Sequence, residues 1–139
     1  MTRPLLRSKT GWTIGVFGAG TVLLGWVGLI WPGVIIGVLG LEVRPAAARG
    51  LVYAIAIASQ SMGVYYLLAA SQQWRPFFLA TVPMRFLNFL VILFVCAAGL
   101  VPRNLLLIAA WEILGALATA CTLWLERGSR ESSPPTAWN

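Results

Sequence analysis

Four apolar stretches alternate with short polar segments along the chain, and each is long enough to cross a bilayer as a helix. The pattern predicts spans over about 11–31, 51–70, 77–100 and 104–125. A basic flank over 1–10 precedes them, and a polar, Ser- and Pro-containing tail over 126–139 reads as disordered. The first apolar run does not stop at its span: Pro32 follows Trp31, and Gly33 to Leu41 remains apolar. One straight helix from Gly11 to Leu41 would be about 45 Å long, more than a bilayer core needs. The expectation is therefore an all-α, integral membrane four-helix bundle with a Pro-kinked first span and an interfacial segment over 33–41. Pro76 stands where the third span should begin, a position at which its missing N–H costs no intrahelical bond.

The third span carries the unusual feature. Thr81, Arg85 and Asn88 fall on one helical face, with a permanent cation well inside an apolar segment. Insertion scales put the cost of an arginine at mid-helix at roughly 2.5–3.5 kcal/mol, so something inside the protein must offset it. Glu112 lies at a matching depth in the fourth span, and a short turn makes these two spans antiparallel neighbours. A Glu112–Arg85 pair is the simplest way to neutralise both. Asn88, Gln60, Tyr65 and Tyr66 lie at neighbouring depths; Tyr53 shares a face with Gln60, and Trp111 adjoins Glu112. These six are the candidate substrate-binding positions. Glu42, arriving with the 33–41 segment, either joins the cluster as a second acid or pairs with Arg44 or Arg49 among the headgroups.

Composition narrows the chemistry. The 139 residues are 59% hydrophobic and only 10% charged, against about 25% charged in soluble domains. There is no histidine and no aspartate, which removes His-based metal sites, haem ligation and Ser-His-Asp triads together. No metal and no cofactor are expected. Cys96 and Cys121 fall near opposite membrane faces, too far apart to pair, and read as small buried apolar residues. The net charge of +6 is spread over span-flanking segments without interleaved aromatics, so nucleic acid is not an expected partner. A cleavable leader is not expected either. Counting bases gives Arg3, Arg7, Lys9, Arg75, Arg127 and Arg130 on one side against Arg44, Arg49 and Arg103 on the other, which puts both termini in the cytoplasm.

Two other signals bear on partners. Gly11, Gly15, Gly18 and Gly25 line one face of the first span, a pattern that lets another helix approach closely, whether in a homo-oligomer or with a partner protein. Tyr65-Tyr66-Leu67-Leu68-Ala69-Ala70, Arg75-Pro76-Phe77-Phe78, Thr81-Val82 with Arg85, and Glu112 followed by Gly115-Ala116 together resemble the small four-span proteins grouped as DoxX-like. That resemblance implies a four-helix membrane bundle and no particular activity; where such proteins often carry Asp in the last span, this chain has Glu.

Three functions fit these residues. The first is a small membrane enzyme in which Glu112 works as acid or base and Arg85 as electrostatic stabiliser on a lipophilic molecule drawn from the bilayer. In residue types alone, Glu112, Arg85 and Glu42 with Asn88 and a tyrosine resemble the carboxylate–Arg–carboxylate set of limonene-type epoxide hydrolases. Epoxide hydration, or a related cyclisation or isomerisation, is then the concrete form. The second is a non-catalytic scaffold or accessory subunit in which the buried pair only sets helix register. The third, a small transporter subunit, is disfavoured because four spans offer no second half to rock against.

Overall fold

The computed structural model describes residues 8–41 and 45–131, with the side chains of 45, 46, 48 and 128–131 left aside. Helix α1 (Lys9–Ile30) opens on Ser8, whose Oγ accepts the Gly11 N–H at 2.9 Å. The neighbouring Thr10 N–H donates to Glu126 Oε1 at 2.9 Å, so a carboxylate from the far end of the chain caps the positive end of α1. Glu126 was expected to begin a disordered tail. Instead the last helix, α5 (Leu106–Glu131), runs past it, and residues 132–139 lie outside the described residues.

The first span carries no kink; the chain breaks after it. Trp31 leaves the helical region (φ −128°, ψ 63°), and Pro32 starts a separate helix α2 (Pro32–Leu39). The reason is local. A proline pushes the residue before it out of the α region, while its own fixed φ suits a first helical turn. Gly40 ends α2 with φ +63°, a conformation that favours glycine, and Asn104 Nδ2 donates to Val38 O at 2.9 Å to fix this corner.

Helix α3 (Pro45–Gln72) ends at Gln73, a non-glycine residue with φ +53°. Its side-chain amide donates to Ala70 O at 2.7 Å, and the Trp74 N–H bonds back to Ala69 O at 3.0 Å. Helix α4 (Arg75–Ala97) follows at once, with Pro76 in its first turn and Pro83 inside it. A turn with Gly99 at φ +71° and a 3-10 turn over Arg103–Leu105 lead into α5.

Four of these helices are long and apolar enough to cross a membrane: Lys9–Ile30, Arg49–Gln72, Arg75–Ala97 and Arg103–Arg127. At 1.5 Å per residue each spans a hydrocarbon core of about 30 Å. Large apolar side chains such as Leu23, Leu79, Phe94 and Leu107 stand more than half exposed along them. So oily an exterior suits lipid as its solvent, and the chain is an integral, multi-pass membrane bundle.

Lipid tails are as apolar as leucine, so helices in a bilayer associate by close packing and polar contacts. The glycine face of α1 meets that need inside the chain. Gly11, Gly15, Gly18, Gly25 and Gly28 are all buried. A Cβ added at Gly18 would lie 2.8 Å from Tyr66 Cβ, one at Gly25 2.8 Å from Ala56 O, and one at Gly63 2.7 Å from Gly18 O. The helix that this face receives is α3 of the same chain, packed antiparallel. Helices α4 and α5 form a second antiparallel pair, and α1 joins α5 to close the bundle. Ile14, Ala69, Ala70 and Phe78 make a small apolar core near the chain-terminal end.

Candidate functional site

Ten residues into α4, roughly 15 Å along its axis, Arg85 turns inward and is 2% exposed. Thr81, one turn earlier on the same face, is also buried, and its hydroxyl is spent on Phe77 O at 2.8 Å. The expected counter-charge is there. Arg85 Nη1 lies 4.0 Å from Glu112 Oε2 on α5. That separation is an ion pair without a hydrogen bond, since N–H···O bonds lie near 2.9 Å.

Two aromatic rings embrace the cation. The guanidinium carbon stands 5.0 Å from the Phe17 centroid on α1 and 4.9 Å from the Tyr66 centroid on α3. Desolvated cation–π contacts are worth about 2 kcal/mol each, together comparable to the insertion cost of an arginine. Ring attraction is not hydrogen bonding, however. Arg85 Nε and Nη1 and Glu112 Oε2 are buried, and none has a hydrogen-bond partner among the described residues. Arg85 thus touches every long helix: it belongs to α4, pairs with α5, and lies over rings from α1 and α3.

Space for the guanidinium comes from Gly115, one turn after Glu112. A Cβ there would overlap Arg85 Nη1 and stand 2.9 Å from Cζ and 3.2 Å from Phe17 Cε1. Behind Phe17, the Trp111 ring packs edge-on at 4.8 Å between centroids, in room left by Gly20. Tyr66 is held from its other side by an edge contact to Phe77, which stacks on Trp74.

The remaining expected site residues are not brought to this centre. Consecutive positions on a helix point about 100° apart, so Tyr66 takes the inward direction and leaves Tyr65 58% exposed. Tyr53 is 39% exposed on the outer side of α3. Gln60 is half-buried and lines a shallow groove of about 340 Å³ with Ser61, Val64 and Tyr65. Asn88 is exposed together with Phe86 and Leu87, while the partly covered face of α4 continues beyond Arg85 through Phe89 and Ile92. Glu42 lies outside the described residues. Cys96 is half-buried and Cys121 exposed, so neither is the buried apolar filler expected, and both thiols are free. Phe17 and Gly115 are the contributors that the span pattern did not single out as site residues. The available signals were an aromatic beside the glycine face, one position before Gly18, and a small residue at i+3 from the acid.

Two further grooves run along the helix pairs. One of about 490 Å³ lies between α1 and α3, beside Trp12, Gly15 and Leu67. The other, of about 380 Å³, lies between α4 and α5, beside Arg75, Pro83 and Arg127. Neither Arg85 nor Glu112 lines any of these three grooves. Among the described residues no group of three or more acidic or sulfur side chains is placed to hold a metal ion.

Chemically, the centre offers a cation with two uncommitted donors, a carboxylate oxygen with uncommitted lone pairs, and aromatic walls. An oxygen atom set between Nη1 and Oε2 would accept from the arginine and, if protonated, donate to the glutamate. Set against models of protein families, curated proteins and solved structures, the chain matches none of them, so the DoxX-like resemblance brings no family name; what is shown is a four-span, all-helical membrane protein with a charged interior.

Proposed function

We propose that the Arg85–Glu112 pair is the working centre of a small membrane enzyme that acts on a lipophilic molecule carrying an oxygen function. The observation that carries this reading is the set of buried polar atoms, Arg85 Nε and Nη1 and Glu112 Oε2, without hydrogen-bond partners. Buried polar groups in folded proteins are nearly always satisfied, and exceptions concentrate at working sites. In this reading Glu112 takes a proton from the substrate and returns it elsewhere, while Arg85 stabilises the negative charge that develops on the substrate oxygen. One carboxylate suffices for an isomerisation or a cyclisation that moves a proton. Epoxide hydration of the limonene-hydrolase kind needs a second acid to protonate the opening ring, a role left to Glu42. Both termini face the cytoplasm in this proposal, following the excess of bases on their side.

A second reading is favoured by a different observation. Because Arg85 contacts all four long helices, the pair also suits a purely architectural role in a scaffold or accessory subunit. Substitution separates the two. Lipophilic ketones, epoxides and alcohols are screened for thermal stabilisation of the purified protein, and stabilising compounds are followed for conversion. The enzyme reading expects a stabilising compound whose conversion Glu112→Gln and Arg85→Lys abolish while both variants keep their helical content. No stabilising compound, with assembly lost in both variants, establishes the architectural role instead.

A further inference from the structure

A second candidate site lies at the end of the bundle where α4 begins and α5 ends, and it shares no residue with the Arg85–Glu112 centre. The groove between α4 and α5 is bounded at its outer end by Arg75, at the start of α4, and Arg127, near the end of α5. The two arginines are 52 positions apart in sequence, and the antiparallel pairing brings both to one concavity. Neither makes an ion pair among the described residues. The nearest acid in sequence to Arg127, Glu126, is turned away to cap α1 through the Thr10 N–H. Among the described residues the mouth of the groove is therefore positive.

Inward from that mouth the lining becomes apolar: Leu79, Pro83 and Ala120, with the strongly exposed Trp124 along the edge. The groove has a local cause. Pro83 has no N–H for the Leu79 carbonyl, and the small Ala120 in the facing wall leaves space that a longer side chain would fill. From Arg75 to Pro83 is roughly 12 Å along the helix, most of the ~15 Å depth of one leaflet. A basic mouth at headgroup level above an apolar trough of leaflet depth matches one ligand class. An arginine pair recognises a phosphate, an indole prefers the interface, and an acyl chain fills a trough that lies along the helices.

We propose that this groove holds one anionic phospholipid, with its phosphate between Arg75 and Arg127 and one acyl chain lying along Pro83 and Ala120. The assignment is independent of the Arg85–Glu112 reading, since the two sites share no residue.

The test uses the full chain in nanodiscs containing equal phosphatidylglycerol and phosphatidylcholine, released and weighed by native mass spectrometry. The expected result is one retained phosphatidylglycerol, favoured over phosphatidylcholine by about tenfold. Combined Arg75→Gln and Arg127→Gln should bring that preference close to one, whereas Arg103→Gln at the opposite end should leave it unchanged. Ala120→Leu fills the trough and should expel lipid of either headgroup while leaving both arginines in place, so it decides the matter even if the double variant folds poorly. Equal retention of the two lipids, or equal effects of the Arg103 and Arg75/Arg127 variants, overturns the proposal. So does displacement of phosphatidylglycerol by millimolar inorganic phosphate, which would make the ligand a free anion. A lipid-free dimer that Ala120→Leu dissociates would give the groove to a second copy of the chain and likewise overturn it.

Discussion

The two helix pairs of this bundle are built on opposite principles. The α1–α3 seam is made by removing side chains: Gly18, Gly25, Gly28 and Gly63 let the helices meet closely, with Ala56 as the nearest partner at two of these points. The α4–α5 seam is made around a polar pair, Arg85 with Glu112, and its one close approach, Gly115, makes room for a guanidinium rather than for a helix. Neither seam can draw on a hydrophobic driving force against lipid. One relies on dispersion at short range, and the groove beside it is lined by no charged side chain. The other relies on charge, leaves donors and an acceptor uncommitted, and has a groove with two arginines at its mouth beside it. The proposed chemistry and lipid site both sit on the second, where a cation and a carboxylate are buried with atoms free to bond something else; on α1 the buried group without a partner among the described residues is a neutral hydroxyl, Thr10 Oγ1.

The largest effect should come from separating the charges. Arg85→Met alone leaves Glu112 uncompensated and should cost about 3–5 kcal/mol in unfolding measured in mixed micelles. Adding Glu112→Leu should recover most of that loss, since replacing both members of a buried pair is often neutral. If the double variant stays as unstable as the single one, the α4–α5 seam depends on something other than the pair.

Next comes the glycine seam. Gly63→Ala gains about 1 kcal/mol in helix propensity but must push Gly18 O and Val22 away, an overpacking cost of about 1–3 kcal/mol. Backbone cannot yield as a side chain can, so the expected net result is a loss of stability in the same assay. Gly115→Ala tests the contrast directly. Its added methyl meets the movable end of Arg85, so the guanidinium should shift against Phe17 while staying paired with Glu112, and stability should change by less than about 1 kcal/mol. The readout is the arginine side-chain NMR signal, which should shift strongly in Gly115→Ala and little in Gly63→Ala. Equal shifts would erase the distinction between the seams. The most local effect should belong to the tie between the two pairs: Glu126→Ala removes the cap on Thr10 N–H and should cost about 1 kcal/mol, with faster hydrogen exchange confined to the first turn of α1.

Pro32 illustrates how far local pattern carries and where it stops. The interruption near it was legible, because a proline after a tryptophan at the end of an apolar run disrupts a helix wherever it occurs. Its form was not: a kink and a clean break differ only in the torsion angles of Trp31, which depend on where α2 is held by the Asn104 contact to Val38 O. Tyr65 and Tyr66 make the same point for the site. Both lie at the depth of the arginine, and choosing between them requires the rotation of α3 about its own axis.

By itself the sequence determined four spans and the need for Glu112 to answer Arg85. Length, hydropathy and the 3.6-residue period are properties of one helix at a time, and burying an unpaired charge in lipid is forbidding in any arrangement. Tertiary structure alone decided that α3 fills the glycine face, that Phe17 and Tyr66 enclose the cation, that Gly115 accommodates it, and that Asn88 is left outside. A helix's period relates its residues only to one another; which side is covered depends on where the neighbouring helices stand, and residues from across the whole chain settle that together.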